Sequence, residues 1–198
     1  RAAAEAGARA RQLITNGFFS RDPARVAQVA RMLADAGVND VLLSVDAFHQ
    51  ATIPLEAVRG FARAVKATGM PLRLQPAWVV RRGHDDPWNR QTEAILADLA
   101  DLDLPVGEGN DIFLAGNAIR HLSHYYPPAR LPVQDCCGSM PYTEPLTNQT
   151  SLSIEPNGDV TVCAFVIGNI CEESMQDIIA RYDPFADEGM RAAAAGVP

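Results

Sequence analysis

Four cysteines and one short strand carry most of the residues in this 198-residue chain whose types and spacing can do chemistry. Cys136, Cys137, Cys163 and Cys171 come from a loop, a hairpin end and a helix lead-in. Thiolates gathered this way can coordinate zinc or an iron–sulfur cluster. No pair has the tight Cys-x-x-Cys spacing of a zinc ribbon, and the adjacent Cys136 and Cys137 do not both fit one iron site comfortably. Buried thiols packed as small hydrophobes are the alternative. The second constellation is Asp40–Gln50, where Val41, Leu42, Leu43 and Val45 form a short apolar run. Such a run marks a strand covered on both faces. Ser44 and Asp46 then share a face at its carboxyl end, where parallel α/β domains bind ligands. Their small polar groups can hold a ligand's hydroxyls or amine. In the plainer alternative, Asp46 caps the next helix and Ser44 fills space.

Histidines add less. His49 follows the strand on its loop and is the best placed for a cleft role, or it serves as an ordinary hydrogen-bonding residue. His121 and His124 lie three apart on a short predicted helix without a nearby carboxylate, which makes them surface or second-layer residues. His84 sits in a polar loop. The chain has no phosphate-cradling glycine loop, no serine nucleophile elbow and no zinc-protease helix motif.

Around these residues the pattern alternates strand and helix. Gln12–Gly17 reads as a strand, then Asp22-Pro23 opens a helix with Val26, Val29, Ala30 and Leu33 at helical spacing and Gly37 as its stop. A second helix opens at Pro54, presents Leu55, Val58, Phe61, Ala62 and Val65, and ends at Gly69. Leu72–Val80 reads as the next strand, with Arg73 and Gln75 on one face. Asp86-Pro87 opens a third helix through Ile95, Leu96, Leu99 and Leu102. Successive strand–helix units with short connections predict parallel strands with right-handed crossovers. Ile112–Leu114 reads as a short strand, 117–125 as a short helix, and 126–132 as a proline-rich linker. Beyond it, 151–155 and 159–163 flank Pro156-Asn157-Gly158, a hairpin signal. Gly168–Cys171 then leads into a helix bearing Met175, Ile178, Ile179 and Tyr182.

At 47% hydrophobic the chain can bury a full core. A net charge of -7 and a pI near 5.0, with no basic stripe, argue against a nucleic-acid surface. No apolar run reaches membrane-spanning length and no signal peptide is visible, so the expectation is a cytoplasmic protein with no membrane partner. The first residue is Arg1, inside an Ala/Arg/Glu stretch that starts mid-helix, and the expectation is a piece of something longer.

Three segments together resemble a radical S-adenosylmethionine enzyme. They are Ile14-Thr15-Asn16-Gly17, then Leu43-Ser44-Val45-Asp46-Ala47-Phe48-His49-Gln50, then Ser153 to Cys163 followed by Gly168-Asn169-Ile170. The resemblance implies the later strands of a partial (β/α)₆ barrel, with the first strand here standing for the family's third. It also implies a C-terminal extension similar to the SPASM or twitch type. The expected fold is therefore α/β: an incomplete parallel (β/α) barrel over residues 1–126 and a cysteine-bearing β-hairpin-plus-helix extension over 133–198. Ser44 and Asp46 would contact the cofactor's ribose and methionyl part, with Asn16 and Gln75 ending neighbouring strands at the same mouth. Cys137 and Cys163, with Cys136 or Cys171, would be candidate ligands of an auxiliary cluster.

The family's Cys-x-x-x-Cys-x-x-Cys motif and its Gly-Gly-Glu are absent from these 198 residues. The intact enzyme would use S-adenosylmethionine and a [4Fe–4S] cluster on a small-molecule or peptide substrate, and this piece alone would be inactive, holding an auxiliary cluster or none. An open half-barrel exposes the edge of its first strand, which favours a homodimer. The competing reading is a non-catalytic α/β metal-binding or protein-interaction module. A barrel aldolase is disfavoured, because no lysine ends a strand.

Overall fold

A computed structural model describes residues 1–127, 146–163 and 165–194. The chain divides into two compact units between Pro127 and Pro128.

The first unit is an α/β layer. Strands β1 (Gln12–Thr15), β2 (Asp40–Ser44) and β3 (Leu72–Gln75) form a parallel sheet in sequence order. Right-handed crossovers between sequential neighbours put the intervening helices on one face. Val41, Leu43 and Val45 of the β2 segment and Leu72 and Leu74 of β3 join one apolar cluster. Val26 and Ala30 of α2 (Pro23–Asp35) and Val58, Phe61, Ala62 and Val65 of α4 (Leu55–Thr68) complete it. The predicted boundaries of both helices hold: the Asp22 side chain accepts from Ala24 N, and Gly69 closes α4 in the left-handed region.

Pairing Ile14 with Leu42 and Leu42 with Arg73 sets one row on the opposite face; two residues further on, Ser44 pairs with Gln75. Ile14 is 58% exposed there. This face is polar at its amino end, where Asp40 accepts from Gln12 Nε2 at 2.5 Å and from Arg73 Nη1 at 3.1 Å.

The predicted strand Leu72–Val80 is in fact two, β3 and β4 (Ala77–Val79). Pro76 separates them because it has no N–H to donate to a ladder. Its carbonyl instead accepts from Asn110 N at 3.0 Å, and β4 pairs in parallel with β5 (Asn110–Ile112). The strand expected at 112–114 thus starts two residues earlier. Asp86 opens α5 (Pro87–Asp98) as predicted. The short helix falls on α6 (Asn117–Leu122) and a 3₁₀ turn at Ser123–Tyr125. The N-terminal stretch is helical only over α1 (Ala2–Glu5), which buries no residue and so has nothing to extend it. Tyr126, expected in the linker, belongs to the first unit: its hydroxyl donates to Ile112 O and accepts from Val80 N.

In the second unit β6 (Ser153–Ile154), β7 (Asp159–Val162) and β8 (Phe165–Asn169) form an antiparallel sheet. The β6–β7 hairpin turns where predicted, with Gly158 N donating to Glu155 O and Gly158 at φ +90°. The third strand, β8, is an addition to the expected hairpin. Helix α7 (Met175–Ala180), capped by Ser174, packs Ile178 against Gly168, and α8 (Glu188–Ala194) buries Met190.

Candidate functional site

Asn16, Ser44 and Gln75 stand at the carboxyl ends of three adjacent parallel strands, and Ser44 and Gln75 are register partners. The Asn16 Oδ1 accepts from Phe18 N, which turns the exposed chain after β1. Ser44 and Gln75 are half-buried. The fold thus brings these three predicted residues to one edge of the sheet.

Asp46 behaves differently from its neighbours. It is fully buried and caps α3 (Ala47–Gln50), a helix that the sequence reading missed and that places His49 and Gln50 on a helical turn rather than a loop. Its Oδ1 accepts from Phe48 N and His49 N, both at 2.9 Å. Its Oδ2 accepts from His49 Nδ1 at 2.8 Å. Both oxygens are therefore spent within the chain, which is the capping role weighed above, and the group beside it that still meets solvent is His49, with 36% of its side chain exposed. The hydrogen bond from His49 to Asp46, reinforced by their charge attraction, outweighs burial and raises the His49 pKa above the ordinary 6.5.

A second pair repeats this plan at the end of β4. Asp86 caps α5 through Trp88 N and Asn89 N, and accepts from His84 Nδ1 at 3.0 Å. Buried Asn89 ties the loop down, accepting from Val79 N and donating to Val79 O, Arg81 O and His84 O. The two capped turns are joined: Phe48 stacks on Trp88 with ring centroids 4.8 Å apart, and buried Thr92 Oγ1 accepts from Ala47 N at 3.0 Å. Sequence reading found Asp86 only as a cap; the Asp-x-x-His and His-x-Asp spacings were the signal available for both pairs.

The structure describes two of the four cysteines. Cys136 and Cys137 lie outside the described residues. Cys163 follows β7 at its turn into β8, in a left-handed conformation (φ +53°). Tyr182 lies near it; burial first, then the charge of Cys163, pushes the phenol up from its ordinary value of 10.0. Cys171 is at the opposite end of the same strand pair. Asp159 pairs with Asn169, whose Oδ1 accepts from Cys171 N, and a Cβ built on Gly158 would lie 2.7 Å from Cys171 Sγ. The four residues of β7, Asp159–Val162, separate Gly158 from Cys163, about 13 Å at the rise of a strand. The two thiols therefore stand at opposite ends of this strand pair. Among the described residues no group of three or more histidine, cysteine or acidic side chains is arranged to hold a metal ion. An iron–sulfur cluster needs three or four such ligands, so these residues by themselves do not complete a cluster site.

Residues 146–193 match the SPASM family, an iron-sulfur cluster-binding domain. The matched segment contains the three-stranded sheet, Cys163, Cys171, helix α7 and all but the last residue of α8. It supports iron–sulfur cluster binding by a protein of the radical S-adenosylmethionine type. No curated protein matches the chain. No helix among the described residues is long and apolar enough to cross a membrane.

Proposed function

We propose that this chain is the later part of a radical S-adenosylmethionine enzyme: strand–helix units of its barrel followed by a SPASM-like extension. The observation that carries the reading is the family match over residues 146–193, coming after a parallel sheet whose strands run in sequence order. Sequential order with the helices on one face is how a barrel wall is laid down. Asn16, Ser44 and Gln75 are then the cofactor-facing residues at the mouth, and Asp46 supports that edge by holding α3 in place.

S-adenosylmethionine bound at a reduced [4Fe–4S] cluster supplies the radical chemistry of the intact enzyme. The chain's own contribution is to orient ligands at the strand ends. In the extension, an auxiliary cluster would take Cys137 and Cys163, with Cys136 or Cys171 as a further ligand. The 198 residues alone are proposed to be inactive, with a small-molecule or peptide as the substrate of the whole enzyme. The outer edge of β1 is the proposed route to a homodimer in the absence of a further strand.

A metal-binding or protein-interaction module is the second reading, favoured by the incomplete ligand set among the described residues. Iron, acid-labile sulfide and zinc analysis of anaerobically purified protein separates the two. Iron with sulfide supports the enzyme reading; one equivalent of zinc without sulfide overturns it.

A further inference from the structure

We propose that the Asp46–His49 pair is a proton-transfer site, with His49 Nε2 as the accepting atom for a hydroxyl-bearing ligand at the carboxyl end of β2. It stands on the first unit alone and does not depend on the iron–sulfur reading.

A working base needs a group that fixes its orientation and tautomer, and a free nitrogen that the ligand can reach. Asp46 supplies the first. It is fully buried, and two backbone N–H groups hold its Oδ1, so its Oδ2 is fixed where it accepts from His49 Nδ1. That bond puts the single proton of the neutral ring on Nδ1 and leaves the lone pair on Nε2. Nε2 makes no hydrogen bond among the described residues, and the imidazole is partly open to solvent.

The support behind the pair is rigid. Asp46 N donates to Gln50 Oε1 at 2.9 Å, Ala47 N donates to Thr92, and Phe48 stacks on Trp88. Asp46 is the ionised group that acts on His49, while α5 meets α3 with the uncharged Trp88 and Thr92. At the same end of the sheet Asn16, Ser44 and Gln75 offer neutral hydrogen-bonding groups, which suit a hydroxyl better than an ion. In the step, the ligand's O–H proton passes to Nε2 and the bonding pair stays on oxygen. The imidazolium that forms is held against the Asp46 carboxylate.

The test uses the full chain and diethyl pyrocarbonate, which carbethoxylates a neutral imidazole nitrogen. Modification is followed histidine by histidine by mass spectrometry across pH, with exposed His121 and His124 as internal references. Ring ¹⁵N shifts report the tautomer in parallel. Neutral His49 should carry its proton on Nδ1 and, above its midpoint, react faster than His121 and His124. Its midpoint should fall in Asp46→Asn, since asparagine still caps a helix but carries no charge. His49→Gln removes the signal and so assigns it. An Nε2-protonated neutral ring overturns the proposal, as does modification slower than the reference histidines or a midpoint unmoved by Asp46→Asn in a folded variant.

Discussion

Phe48 lies stacked on Trp88, with an interplanar angle of 20°, and this contact couples the turn after β2 to the turn before α5. Each turn carries a buried aspartate that caps a helix and receives a histidine Nδ1–H. Offset aromatic pairs contribute about 0.5–1.5 kcal/mol beyond their buried area. A double-mutant cycle with Phe48→Leu and Trp88→Leu, followed by urea unfolding, should return a coupling energy of about that size. Additive effects would mean the two turns are held independently.

Thr92→Val tests the same junction from its polar side. The substitution keeps the shape but leaves Ala47 N, which is buried, without an acceptor. Stability should fall by about 1–3 kcal/mol, the penalty for a buried unsatisfied donor. Asp46→Ala should cost about 0.5–2 kcal/mol for the lost cap, and Asp46→Asn much less.

His49 predicts a pH dependence of stability with a definite sign. Its folded pKa lies above the unfolded 6.5 because of Asp46, so the folded state binds the proton more tightly. That stabilisation is fully present below the unfolded value and is lost as pH rises through the folded one. The difference in unfolding free energy between wild type and His49→Gln should therefore shrink from acid toward alkaline pH. A difference flat across this window would mean that the Asp46–His49 bond gains nothing from protonation.

Gly109 is a point of close backbone approach. It sits at φ +88°, and a Cβ there would lie 2.7 Å from Pro76 O and against Trp78 Nε1, which donates to Glu108 O. Gly109→Ala forces both a left-handed alanine and a clash with fixed backbone. The left-handed conformation alone costs about 1 kcal/mol or more, and thermal denaturation should show a loss beyond this. An unchanged Tm would mean that β4 and β5 yield easily.

The two described thiols make opposite predictions from one another. Cys163 and Cys171 stand at opposite ends of the β7–β8 pair, so Cys163→Ser and Cys171→Ser are expected not to remove the ligands of one site alike. Iron and sulfide content should collapse in one variant and persist in the other. Equal loss from both, with circular dichroism unchanged and one cluster per chain in the parent, would contradict the hairpin geometry.

Much of the first unit was readable beforehand because its signals are local. Asp22-Pro23 and Asp86-Pro87 mark helix starts by their own chemistry, and Gly69 marks an end. The face of α4 follows from residues three and four apart. The role of Asp46 was harder to see. Its alternation with Ser44 pointed to the mouth, whereas the short helix after it turned the carboxylate inward; that outcome depends on Thr92 and Trp88, about forty residues away. Pro76 was visible, but its break became decisive only through pairing with Asn110. Spacing could not show that Cys163 and Cys171 stand at opposite ends, because strand β8 between them carries too few alternating residues to be recognised.

The same separation makes the hairpin a molecular ruler. With Cys136 and Cys137 replaced by serine, paramagnetic tags on the two remaining thiols would bracket the length of β7. Their dipolar coupling would report whether the strands slide past the bulge between Val160 and Thr161 as conditions change. Strand slippage would then be visible as a change in one distance, without any knowledge of the substrate.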